Sequence, residues 1–166
     1  MKIEFGGGEN PKRPNYIQVD VRKINDNTLV CNAWDVDKHV DEGVVTEIYS
    51  RHFFEHLTHQ QAQRTLDAWY KICKRGARIE LLCPNMNLHL WQWNNWDKLT
   101  PKEKDHCRAG FWGWQRESDD SPWDLHKSGY DYPKLKELVE NYNFINITKI
   151  MPDGPKDKHL AVQFFK

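Results

Sequence analysis

The sequence carries no excess of charge in either direction. Lys plus Arg and Asp plus Glu each total 24 in 166 residues, a formal net charge of zero. Proteins that hold nucleic acid mainly through its phosphates are usually basic, so that class of partner is not expected. No apolar run approaches the ~20 residues of a membrane-spanning helix. The first residues read as a strand, not as a charged and then apolar leader. The expectation is a cytoplasmic protein with no membrane partner. The four cysteines, Cys31, Cys73, Cys83 and Cys107, form no Cys-x-x-Cys pair. That excludes the usual zinc-ribbon and dithiol motifs and suits reduced thiols. Internal repeats, low-complexity tracts and linkers are also missing, and at this length one domain, residues 1–166, is expected.

Tryptophan, by contrast, is abundant. Six of the eight (Trp91, Trp93, Trp96, Trp112, Trp114 and Trp123) fall within 33 residues. They read either as an aromatic core or lid, or as the walls of a substrate site.

The strongest local pattern stands at the start. A short strand, Lys2 to Phe5, runs into Gly6-Gly7-Gly8, and a second strand, Tyr16 to Val19, ends on Asp20. Glycine lets a backbone approach a ligand without a Cβ in the way. A carboxylate at the tip of the next strand suits the two hydroxyls of a ribose.

Further strands are expected at Thr28–Asn32, Val44–Ser50 and Arg78–Cys83, where β-branched and apolar residues cluster. Thr58 and Gln61 form a capping box, and Ala62, Leu66, Trp69 and Cys73 follow at helical spacing, with Gly76 as the expected left-handed cap. Residues 86–128 lack a clean period and read as a Trp-rich insertion or lid with one or two short helices, including Pro101–Cys107. A second amphipathic helix is expected at Tyr132–Tyr142, capped by Asp131. Phe144–Ile150 and His159–Phe165 read as a final antiparallel pair. Strands alternating with helices predict an α/β fold. It would be a Rossmann-like open twisted sheet, mostly parallel with an antiparallel last strand, with ligands at the carboxyl ends of the strands.

In this order the motifs resemble the class I S-adenosylmethionine-dependent methyltransferases, and in particular small proteins of the methyltransferase type 11 kind. The resemblance rests on Gly6-Gly7-Gly8, Asp20, Asn32-Ala33 and His52-Phe53-Phe54-Glu55-His56-Leu57. It continues through Lys74-Arg75-Gly76-Ala77, Cys83-Pro84-Asn85 and Tyr130 to Phe144. It covers nearly the whole chain and implies S-adenosyl-L-methionine as cofactor. Carried over, Gly6 and Gly8 approach its methionine part, Asp20 accepts from its ribose hydroxyls, Asn32 and Ala33 sit at its adenine edge, and Gly7, Val21 and Trp34 belong to the same cofactor-binding set. Arg51 and His52, in the loop after the fourth strand, face the sulfonium and methyl group.

Three departures stand out. Asn32 replaces the usual aspartate. No helix precedes the first strand. Only seven residues, Glu9 to Asn15, separate the first two strands, with Pro11 and Pro14 among them. A helical crossover needs about 10–12 residues, so this is a compact variant with an abbreviated first helix.

The expected function is methyl transfer to a small-molecule or glycan-like acceptor, without a metal. An oxygen or nitrogen acceptor benefits from a base, with His52 the first candidate and His126 the second. The tryptophans of the insertion would stack on a sugar or planar ring, and Arg108, Arg116 or Lys127 would meet an acidic group. Two other readings stand beside this. One is a methyltransferase-like binding protein that no longer catalyses. The other is a zinc hydrolase using His52-x-x-Glu55-His56, which needs both imidazoles on one helix face.

Overall fold

The computed structural model describes residues 1–115, 122–151 and 158–166. Seven strands form one sheet: β1 (Lys2–Phe5), β2 (Ile17–Asp20), β3 (Thr28–Val30), β4 (Val45–Arg51), β5 (Cys73–Pro84), β6 (Ile145–Lys149) and β7 (His159–Phe165). Their order is β3-β2-β1-β4-β5-β7-β6. The first five pair in parallel, and β7 lies antiparallel between β5 and β6. This is the expected mostly parallel α/β sheet. The helices are α1 (His59–Ile72), α2 (Met86–Asn94), α3 (Pro101–Trp112) and α4 (Tyr132–Glu140).

Strand alternation divides the sheet into two unlike faces. One carries Ile3, Phe5, Val19, Ile48, Ile79, Leu81, Val162 and Phe164. It packs against Leu66, Trp69 and Ile72 of α1, Leu135 and Val139 of α4, and Val36 of a 3₁₀ turn at Ala33–Lys38. The helix caps form as read: Thr58 and Gln61 make a capping box at α1, Thr58 accepting from Gln61 N–H, and Asp131 is the N-cap of α4, accepting from Lys134 N–H.

The other face carries Glu4, Gln18, Tyr49, Glu80, Leu82 and Ala161, which the strand registers bring side by side. Its small apolar cluster (Tyr49, Leu82 and Ala161, with Tyr16 and Ile150 against it) includes no helix residue. The chain between β1 and β2 covers it as a loop, anchored on Glu4, which is wholly buried. Lys12 N–H and Arg13 N–H donate to the two Glu4 carboxylate oxygens at 2.9 and 2.8 Å, and Gln18 Nε2 donates at 3.2 Å. The Arg13 guanidinium lies 4.4 Å from the centre of the Tyr49 ring and reaches Glu80 at 3.4 Å. A hydrogen-bonded loop thus stands where a crossover helix would otherwise pack.

The sequence reading placed the end of α1 too late and the start of β5 too late. α1 ends at Ile72, and Cys73 is already extended because it pairs with Val45 of β4. Gly76 is left-handed (φ +79°), as expected, but it sits in an irregular start of β5, where the register jumps from Val45–Cys73 to Glu47–Arg78. The insertion holds α2 and α3, the latter running past Cys107 to Trp112.

Candidate functional site

Parallel strands deliver their carboxyl-end loops to one edge, and two adjoining cavities open there. The first, about 470 Å³, lies over the tips of β1, β2 and β4. Gly6, Gly8, Asp20, Val21, Ala33, Trp34 and His52 line it, together with Arg22, Cys31, Trp123, Asp124 and Lys127. Gly6 has φ +79°, and a Cβ there would lie 2.5 Å from Phe53 Cβ and 2.8 Å from the Arg51 carbonyl oxygen. The β1 tip therefore lies close against the chain that leaves β4, with no room for a side chain at Gly6. Gly7 faces the other way: a Cβ would meet Gln18 Oε1 at 2.3 Å.

Of the expected cofactor residues, Gly7, Asn32 and Arg51 are absent from this lining. The Asn32 amide is turned onto Asp35, to which it donates at 3.2 Å. Asp20 is at the rim, and its carboxylate accepts from Arg22 N–H and Nε at 2.9 and 3.1 Å and from Nη2 at 3.3 Å. Sequence reasoning did not foresee this arginine. A pair two residues apart carries no helix or strand spacing that marks it.

The second cavity, about 390 Å³, shares His52, His56 and Asp124 with the first. Six of the eight histidines line it: His52, His56, His89, His106, His126 and His159. His89 and His159 are pushed down to about 4. Burial is the main cause for each, with the neighbouring His106 adding to it at His89 and the neighbouring His52 at His159. His126 is lowered as well, by burial first. These imidazoles are neutral near pH 7. His89 packs against Gly110, where a Cβ would lie 2.3 Å from the ring.

His52 stands between the cavities at the β4 tip with φ +47°, a left-handed backbone that a non-glycine residue adopts at a cost of about 1–3 kcal/mol. Its Nδ1 is 3.1 Å from Glu55 Oε1. Glu55 is 1% exposed. Burial pushes the Glu55 carboxyl up, but the hydrogen bond from His52 and the charges of His52 and His56 outweigh it, so the net direction is down. The hydrolase geometry does not form. Only a 3₁₀ turn at Phe54–His56 follows β4, and His52 lies outside it, so His52 and His56 do not share an α-helical face.

Described residues of the Trp-rich segment reach this edge. Lys127 and Ser128 N–H both donate to the Glu55 carbonyl, at 2.8 and 3.1 Å. Of its tryptophans, Trp123 reaches the first cavity and Trp114 the second. Trp93 packs on Trp96, Phe111 and Trp112 along α2 and α3, with half its surface still exposed. Arg108 is held by Asp105 and lies over Trp96. Arg116 lies outside the described residues. His89, His106 and His159 escaped the sequence reading because they belong to α2, α3 and β7, and only the topology brings them together.

No protein-family model and no curated protein matches the sequence. Solved structures do match in shape. An S-adenosylmethionine-dependent methyltransferase from Archaeoglobus fulgidus is 14% identical, with a TM-score of 0.68 over 99% of this chain and 85% of that one. A methyltransferase from Methanosarcina mazei is 12% identical, with a TM-score of 0.68 over 99% and 91% of the two chains. A possible histamine N-methyltransferase from Thermotoga maritima is 12% identical, with a TM-score of 0.66 over 99% and 81%. The mostly parallel sheet with its antiparallel β7 agrees with this likeness, and the chain has the fold of the class I S-adenosylmethionine-dependent methyltransferases.

Proposed function

We propose that the chain binds S-adenosyl-L-methionine in the first cavity and transfers its methyl group to a small-molecule or glycan-like acceptor in the second. The observation that carries this reading is the shared wall. His52 borders both cavities, so a methyl group held beside it faces an acceptor lodged among the histidines. In this reading Gly6 and Gly8 admit the methionine part, Asp20 and Val21 the ribose, and Ala33 and Trp34 the adenine. Methyl transfer mainly requires alignment of nucleophile, methyl and sulfur. His52 is the base for an oxygen or nitrogen acceptor, with His126 across the second cavity as the alternative. Trp114 and Trp123 are placed to stack on a planar or sugar ring. Among the described residues no helix is long and apolar enough to cross a membrane, and a cytoplasmic setting fits the four free thiols.

Asp20→Ala tests the cofactor half. It should weaken S-adenosylhomocysteine binding at least tenfold, about 1.4 kcal/mol, with little change in thermal midpoint. Calorimetry and a melting curve on the same sample check this, and unchanged affinity would remove Asp20 from the site.

A second reading, a methyltransferase-like binding protein without turnover, draws on the Arg22–Asp20 pair, which occupies the carboxylate meant for the ribose. Transfer of a labelled methyl group to any acceptor speaks for the first reading. Cofactor binding without transfer across a broad acceptor panel speaks for the second.

A further inference from the structure

Glu55, His56 and His126 each offer a ligand atom within 4.8 Å of the others. We propose that these three residues form a site for a divalent transition metal ion, zinc or a similar ion, in the wall of the second cavity, with His56 bordering the first as well. The set differs from the one the local motif suggests: His126, 70 positions after His56 in the chain, takes the place that His52 would have had.

Four observations carry the assignment. Glu55 Oε2 is buried with no hydrogen-bond partner among the described residues, while Oε1 is engaged by His52. A buried, unpartnered carboxylate oxygen is costly unless something fills its lone pairs. Both imidazoles are already oriented by backbone carbonyls: His56 Nδ1 lies 3.1 Å from the Leu125 oxygen and His126 Nδ1 2.9 Å from the Gly110 oxygen. A proton on each Nδ1 leaves each Nε2 with a free lone pair, a tautomer that can ligate a metal. The two rings are 5.0 Å apart, edge to face. Finally, Lys127 and Ser128 N–H hold the Glu55 carbonyl, which pins the chain next to His126 against the segment that follows β4.

Two imidazoles and one carboxylate are a mixed nitrogen and oxygen set. It suits zinc, cobalt, manganese or iron better than magnesium, which prefers oxygen ligands alone. Neighbouring donors on a tetrahedral ion at about 2.1 Å lie about 3.4 Å apart, so modest side-chain rotations complete the site. Three protein ligands leave at least one position open. All three residues line the histidine cavity, so an open position would be reached from it. Resting on the methyl-transfer reading, that position would take an oxygen of the acceptor, a hydroxyl or a phosphate.

The test uses untagged full-length protein, freed of metal with a chelator and titrated in a calorimeter with zinc, cobalt and magnesium chlorides. One equivalent of zinc or cobalt should bind, and magnesium should bind far more weakly. His126→Ala, His56→Ala and Glu55→Gln should each weaken zinc at least about tenfold, while His59→Ala, outside both cavities, should not. His126 belongs to the insertion, so its variant is the one expected to stay folded if Glu55→Gln does not. Three results would overturn the assignment. They are folded wild type that binds no zinc or cobalt, His126→Ala with wild-type zinc affinity, and a preference for magnesium. S-adenosylhomocysteine is titrated separately into the metal-free protein, so failure of the cofactor reading and failure of the metal site are told apart.

Discussion

Glu4→Ala should destabilise the protein by about 3–4 kcal/mol. The carboxylate is wholly buried and is the hydrogen-bond acceptor for Lys12 N–H, Arg13 N–H and Gln18 Nε2. Removing it orphans two backbone donors and one side-chain donor, each costing about 1–3 kcal/mol when left dry. Water entering the loop would offset part of that sum, which sets the lower figure. For a domain of this size the thermal midpoint should fall by about 10 °C. The same substitution at Glu9, which is exposed on this loop, should be nearly silent. Denaturant unfolding of the two variants checks the contrast. A loss under about 1 kcal/mol at Glu4 would mean that the loop is held by something else, such as Arg13 on Tyr49 and Glu80.

Gly6→Ala should lower affinity for S-adenosylhomocysteine at least ~100-fold, about 2.7 kcal/mol. A left-handed backbone strains alanine by about 1 kcal/mol. The larger effect is steric. The added carbon would sit 2.5 Å from Phe53 Cβ and 2.8 Å from the Arg51 carbonyl oxygen, and neither is the free end of a side chain. Relief requires the β1 and β4 tips to part, which deforms the cavity floor and displaces His52. Gly8 provides the contrast. It is also left-handed, at φ +52°, but a Cβ there meets nothing within 4 Å. Gly8→Ala should therefore cost only the conformational strain. Equal affinities for the two variants would show that contact between the strand tips does not shape the site.

The fold was legible where local chemistry decides local structure. Thr58 with Gln61, and Asp131 before an amphipathic run, mark helix starts because their side chains satisfy backbone donors that every helix leaves open. The seven-residue spacing after the glycines correctly excluded a crossover helix. What replaced that helix was not legible: Glu4 reads as an ordinary polar strand position until the loop folds onto it. The end of α1 was missed for a similar reason. The apolar stripe runs through Cys73, but pairing with Val45 draws that residue into the sheet. That Gly6, Gly8, Asp20 and His52 line one cavity follows from their places at strand ends. The histidine cavity does not, because His89, His106, His126 and His159 come from separate elements and share no spacing. Arg22 on Asp20 was equally invisible, since nothing in a sequence marks which charged neighbour a carboxylate will choose.

The central claim is that the cavity over the β1, β2 and β4 tips is a site for S-adenosylmethionine. Calorimetric titration of the folded, full-length chain with S-adenosylhomocysteine tests it most directly. The account predicts one site per chain with micromolar affinity, weakened by Asp20→Ala and still more by Gly6→Ala. A chain that is folded by its melting transition yet gives no binding heat and no rise in thermal midpoint with ligand would contradict it.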